Sequence, residues 1–516
     1  MTMFRGFPIL VVVGLMASCS RAGGVDVTGE DDPATCADGL DNDGDTLADC
    51  LDPRCGAFCI PPSEDCADGM DNDGDTLADC DDPDCRDAVA CRPTPCGADG
   101  DCPSGMACVG VECVDGLLVW PNPESGANSD PWLAEHHADL VQIRPAVLAL
   151  NFVNAKSNDQ MLGHMQQVFD AMAEASRWHG YDDPSSPPFV LYRIAYAVDL
   201  RDEDPPPDWP YRNSSLYPRE NPQEGMWGFD YEALFTEAFA ALMDIRDPAD
   251  PGRALDLCEL VDRGLVHEVW VYGDADVPDA SAAEILEIKP YYDEGGRRLD
   301  RPMNPCAGNG CFDDEDTFPA HCTRAVRIGW MNNTRGPGCY LESLAHGFES
   351  IAAWNEDQIP QLSRVFIPFA GYGLDDRYGI PFDSWYDCPY GQPCLSYPTM
   401  TSVAWQIAFS YQGTIDPYDP VCGNVHFPPN ARMHYDLESP FWVRTTCQGY
   451  ALGENADGTD RLRPFMHREF EAYEAIAGDC MGSFLVWWRQ NFPDGHHGAR
   501  DADGEPMPAW WPYVYY

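Results

Sequence analysis

Residues 146–180 read "AVLALNFVNAKSNDQMLGHMQQVFDAMAEASRWHG". The opening run (146–155) is short and apolar, the pattern of a strand buried on both faces. From Asn158 the spacing changes. Met161, Met165, Val168, Phe169, Met172 and Ala175 recur at helical intervals and share one face. The alternation continues downstream. "FVLYRIAYAVDL" (189–200) is strand-like, 229–245 and 253–263 are helical, and "LVHEVWVYGD" (265–274) and "AVRIGWMN" (325–332) are strands. "CYLESLAHGFESIAAW" (339–354) is a further helix. This order predicts an α/β domain over 132–516, a largely parallel sheet with flanking helices. In such sheets ligands gather beyond the carboxyl ends of the strands, which here carry Asn151, Asn154, Asp274, Asn332 and Asn333.

The chain ahead of this domain has another character. All 15 tryptophans lie at or after Trp120. Residues 117–131, rich in Pro, Gly, Asn and Ser, read as a linker, and 92–116, with four cysteines and little apolar content, as a crosslinked spacer module. Between 36 and 91 a unit is repeated: "CADGLDNDGDTLADC" (36–50) returns as "CADGMDNDGDTLADC" (66–80). Asp41, Asp43, Asp45 and Asp49, and then Asp71, Asp73, Asp75 and Asp79, can turn several oxygens toward one hard cation, which suits calcium. Thr46 and Thr76 stand where an EF-hand loop has glycine, so a calcium loop is expected and an EF-hand pair is not. An acidic spacer with no specific ion is the alternative. The α/β domain is thus preceded by small disulfide-rich calcium-loop repeats.

Residues 1–18 carry Arg5, then an apolar run from Phe7 to Ala17 that ends at "ASC". This is the make-up of an export signal. It resembles a bacterial lipoprotein signal with Cys19 as the lipidated residue and 19–35 as a tether, placing the protein at the cell surface or outer membrane. Plain secretion with Cys19 a stray thiol is the alternative. Twelve cysteines lie between Cys36 and Cys113 and ten between Cys258 and Cys480; both blocks are even, as complete pairing in an oxidising compartment requires. The formal net charge of −55 repels nucleic acid and acidic lipid and attracts cations. Membrane contact is expected only through the N-terminal lipid.

Two resemblances accompany these readings. The Asp-rich repeats resemble metal-binding repeats of myxobacterial surface lipoproteins. "VHEVWVYGD", "RIGWMNNTRG" with "LESLAHGFES", "CGNVHFPPNARMHYD" (422–436) and "VWWRQNFPDG" with "AWWPYVYY" resemble, in order, the blocks of a family of exported bacterial proteins of unassigned function. The likeness covers most of 140–516 and implies that these blocks build one domain. Gly347 and Phe348 stand where that family has a basic residue, which speaks against charge neutralisation at that point.

Within "LESLAHGFES" (341–350), Glu342, His346 and Glu349 are spaced i, i+4 and i+7 and form one stripe beside the apolar face of Leu341, Leu344, Ala345, Phe348 and Ala352. His346 with Glu349 can present a nitrogen and an oxygen to zinc. The loop 422–436 offers His426, His434 and Asp436 to complete the site. The arrangement is weakly similar to that of metallocarboxypeptidases, and no His-Glu-x-x-His occurs. Glu342, Glu349, Glu268 and Asp274 are alternatively the carboxylates of a glycoside hydrolase, with Trp270, Trp354, Trp405 and the pairs Trp487–Trp488 and Trp510–Trp511 stacking on sugars. A solvated helix face and tryptophans packed in the core are the plainer readings. No nucleophile elbow, P-loop or dinucleotide fingerprint is present. Two functions follow: a metal-dependent hydrolase of extracellular peptide or glycan, or a non-catalytic adhesion or carbohydrate-binding protein that holds an extracellular polymer or surface ligand.

Overall fold

The computed structural model describes residues 96–125, 131–201, 219–220, 227–229, 231–273, 285–312, 322–380, 388–407, 411–494, 498–501 and 503–516. Cys19, the eight repeat aspartates from Asp41 to Asp79, and Asp274 lie outside them.

The central sheet is built from β1 (Ala146–Asn151), β2 (Arg193–Asp199), β3 (Glu268–Gly273), β4 (Ile285–Ile288) and β5 (Val326–Asn332). Their spatial order is β2-β1-β3-β5-β4. The first four run parallel, and β4 pairs antiparallel to β5 at the edge. The α/β expectation is therefore met, with one antiparallel edge strand added. Side chains alternate between two cores. Val147, Ala149, Trp270 and Tyr272 face one, and Leu148, Leu150, Val269 and Val271 face the other. Burial on both faces is why these strands are continuously apolar.

Helix α1 (Asn158–Ala175) covers the first face. A capping box starts it: Ser157 Oγ accepts from Gln160 N–H, and Gln160 Oε1 accepts from Ser157 N–H. Helices α2 (Glu237–Met243) and α3 (Leu257–Asp262) cover the opposite face through Phe239, Met243, Leu257 and Leu260. Helix α4 (Pro337–Glu349) packs on the α1 side, burying Leu341, Leu344, Ala345 and Phe348. Each large apolar side chain so buried stabilises the fold by about 1.5–3 kcal/mol. Proline at its first turn suits the open donors there. Asp479 caps this end, accepting from Gly336 N–H (2.7 Å) and Gly338 N–H (2.8 Å). The disulfide Cys339–Cys480 ties the two segments together. Helices α5 (Pro360–Phe369) and α6 (Gly482–Arg489) complete this layer, and β6 (Leu395–Thr399), β7 (Ser402–Ile407) and β8 (Tyr411–Ile415) form a separate antiparallel sheet.

Thr94–Tyr516 forms one compact unit. Val119–Trp120 pairs in parallel with Gln142–Ile143, and Trp120 is fully buried. The cysteine-rich module also docks on this unit. Arg144 Nη1 meets Asp99 Oδ2 at 2.5 Å, and Arg144 Nη2 donates to the Cys108 carbonyl. Its four cysteines pair as Cys96–Cys108 and Cys102–Cys113. All ten later cysteines are paired too: Cys258–Cys322, Cys306–Cys311, Cys339–Cys480, Cys388–Cys394 and Cys422–Cys447.

Residues 510–516 return to the core. Tyr515 donates to Glu268 Oε1 (2.9 Å). The Tyr516 hydroxyl meets His137 Nδ1 at 2.7 Å, and His137 Nε2 donates to the Ala509 carbonyl.

Candidate metal centre

Helix α4 runs back along the sheet. The Tyr340 hydroxyl presses on Gly329, and Gly347 lies over the Arg327 guanidinium near the start of β5. A Cβ at residue 347 would sit 2.9 Å from Arg327 Nη2 and 3.0–3.1 Å from Ile285, so the helix can approach this closely only with glycine there. A basic group, Arg327, thus lies beneath the helix at this point, on β5. His346 is consequently carried to the amino ends of the strands. The carboxyl ends are occupied otherwise. Asn151 bonds to Lys156, Asn158 and Val153, and Asn332 accepts from Thr334; both shape turns.

The loop 421–436 meets α4 from the other side. Gly423 has φ +68°, and a Cβ there would lie 1.9 Å from the Phe427 carbonyl oxygen. Glycine thus permits the tight turn in which Asn424 and Phe427 exchange backbone hydrogen bonds of 3.1 and 3.0 Å. His426 is carried inside this turn. Asp436 braces the loop with two bonds to the Arg432 guanidinium (2.6 and 2.8 Å), which leaves it outside the ligand set.

Glu342, His346 and His426 converge. The Nε2 atoms of the two histidines are 3.0 Å apart, and Glu342 Oε1 lies 3.3 Å from His426 Nε2 and 3.9 Å from His346 Nε2. A tetrahedral zinc site with bonds of 2.0–2.1 Å has ligand–ligand edges of about 3.3 Å. The three separations bracket that value, so the group has the composition and span to hold a metal ion. Glu349 stands behind His346, its Oε2 3.2 Å from Nδ1, while its Oε1 accepts from the Tyr372 hydroxyl. A carboxylate in this position would fix the tautomer and orientation of the imidazole were it to ligate a metal. Burial pulls the His346 pKa down, but hydrogen bonds to Glu342 and Glu349 outweigh it and raise the pKa to about 9. Burial pushes the Glu342 carboxyl up, and hydrogen bonds from His346, His426 and Tyr435 bring it down to about 2.

Glu349 meets His346 at Nδ1, on the side away from His426. Glu342, expected as a catalytic acid, is the carboxylate that converges with the two histidines. His434 is not in the converging group; its ring stacks on Tyr390 at 3.9 Å. Glu268 is buried and saturated by Tyr192 (2.9 Å), Tyr515 (2.9 Å), Trp270 (2.7 Å) and Arg327 (3.3 Å), so it has no open face for a substrate. Trp270, Trp487, Trp488, Trp510 and Trp511 are core residues, which removes them as a sugar platform; Trp354 is 61% exposed. Sequence reasoning missed Tyr435, whose hydroxyl lies 2.7 Å from Glu342 Oε1 and 2.8 Å from His426 Nε2. A tyrosine flanked by His434 and Asp436 was the available signal.

Exposed aromatics border the centre. Tyr390 is 64% exposed beside His434. Trp354 ends a π-helical turn, Ser350–Trp354, that continues α4 and packs its ring on Tyr372. Such π turns recur at functional sites. No family model, curated protein or solved structure matches the chain.

Proposed function

We propose that this chain is a surface lipoprotein, anchored through Cys19 and carrying calcium-binding repeats, whose large unit is a zinc-dependent hydrolase of an extracellular peptide or glycan. One observation carries the reading: the spacing of Glu342, His346 and His426, with Glu349 locking His346 from behind. Two imidazoles favour zinc and other transition metals over calcium or magnesium. Zinc with three protein ligands supplies Lewis-acid activation of water and of a substrate carbonyl. In this arrangement Glu342, His346 and His426 hold, Glu349 and Tyr372 orient, and Tyr390 and Trp354 offer ring faces to a substrate. Those exposed rings also favour the second reading, a non-catalytic protein that retains a glycan.

The test is elemental analysis of the full chain with calcium present, alongside His346→Ala and His426→Ala, followed by hydrolysis of peptides and acylated glycans. One zinc per chain, lost in both variants together with hydrolysis, supports the proposal. Iron in its place would turn the same two-histidine, one-carboxylate set toward oxygen chemistry. Zinc retained in both variants would refute the site. Zinc bound without turnover, but with glycan retention, would establish the binder.

A further inference from the structure

We infer that Tyr435 is the fourth ligand of this centre in its resting state, closing the site until a substrate displaces it. The inference rests on the metal reading of Glu342, His346 and His426. The Tyr435 oxygen lies on two of the three ligand atoms at once, 2.7 Å from Glu342 Oε1 and 2.8 Å from His426 Nε2. Both separations are shorter than a tetrahedral edge of about 3.3 Å, as expected where hydrogen bonds join atoms that an ion would hold apart. Glu349 stands behind His346, and His434 is not in the group whose ligand atoms converge here.

The backbone points the same way. Tyr435 has φ +62°, a left-handed conformation that a bulky residue adopts only at a cost on the order of 1–3 kcal/mol. The surrounding loop enforces it: Tyr435 N–H donates to the His426 carbonyl (3.0 Å), and Asp436 is clamped on Arg432. The distortion turns the phenol inward from a loop whose neighbours His434 and Asp436 face elsewhere.

The ring can also leave. Tyr435 is 43% exposed, whereas Glu342 and His426 are 5% and 6% exposed. Catalytic zinc keeps a position for water or substrate, and structural zinc is closed by four protein ligands. A phenol arriving from the solvent side is the one ligand of the four that can be exchanged without opening the core. On coordination its O–H bond breaks, the proton goes to solvent, and the oxygen bonds the metal.

Copper(II) is the probe, since copper phenolates absorb visibly and copper imidazole–carboxylate sites lack that charge-transfer band. The full chain, kept in calcium to occupy its exposed acids, is titrated with Cu(II) as wild type, Tyr435→Phe and His346→Ala, with circular dichroism confirming the fold of each. The expected result is a charge-transfer band in wild type that Tyr435→Phe lacks, although that variant still binds the His346-dependent equivalent of copper. Zinc affinity, read by competition with a chromophoric chelator, should fall at least roughly tenfold in Tyr435→Phe. A His346-dependent copper site with no band, or a band that survives in Tyr435→Phe, overturns the inference and leaves the metal centre standing. Copper binding that His346→Ala leaves intact overturns the centre and this inference with it.

Discussion

His137 gives the fold a pH dependence that can be isolated. Its imidazole is buried, Nε2 donating to Ala509 and Nδ1 facing the Tyr516 hydroxyl. Burial is the dominant cause that lowers its pKa from 6.5 to about 4, opposed by the hydrogen bond to Ala509. The folded protein therefore holds His137 neutral at pH values where the unfolded chain binds a proton. Its contribution to stability is whole above pH 6.5 and declines as the pH falls through the interval to 4. At pH 4 the loss from this one group is about 3 kcal/mol. The assay is urea unfolding under non-reducing conditions, followed by tryptophan fluorescence, at pH 7.5, 6, 5 and 4, for wild type and His137→Phe. The phenylalanine variant loses a fixed amount at every pH, because Ala509 and Tyr516 lose their partner. Its pH slope should be shallower by about 3 kcal/mol over the range. His267, whose pKa burial lowers to about 3, contributes equally to both proteins and cancels. Parallel curves would show that the imidazole is solvated or protonated in the fold, and the account of this contact would be wrong.

Other changes have defined outcomes. Glu349→Gln keeps the shape of the site but removes the charge behind His346, and should weaken zinc binding by roughly 10- to 100-fold in a chelator competition. Gly347→Ala forces a methyl against Arg327 and Ile285, and should lower stability by about 1–3 kcal/mol in urea unfolding at pH 7.5. Asp479→Asn weakens the cap of α4 by about 1 kcal/mol, read as a lowered unfolding midpoint. Trp354→Ala, at an exposed ring, should leave stability within about 0.5 kcal/mol while reducing retention or turnover of the ligand.

Sequence periodicity showed most of the sheet because β1, β3 and β5 are covered on both faces and have no need of polar positions. It missed β4 for a physical reason. "ILEI" and the following Lys289 look half-solvated, yet Glu287 and Lys289 are buried, with Glu287 set between Arg327 (3.1 Å) and Lys289 (3.9 Å). Burial raises the Glu287 pKa to about 7 against the pull of Arg327 and Lys289. The stripe of Glu342, His346 and Glu349 was readable from helical spacing. Which carboxylate meets Nε2 and which meets Nδ1 depends on the ring's rotamer, and spacing carries no record of that. In the loop, the left-handed backbone of Tyr435 sets its hydroxyl on Glu342 and His426, a placement that the spacing of 422–436 does not record.

Tyr515 bears on how the chain reaches this state. The carboxylate of Glu268 sits at the start of a central strand, and one of its partners lies 247 residues downstream. Until that partner emerges from the ribosome, a buried charge lacks one of its donors and Trp120 lacks the ring it rests on. The packing around Glu268 and Trp120 is thereby completed late in synthesis. A chain cut before Tyr515 should yield a species that proteases clear, even though Glu342, His346 and His426 would all be present in it.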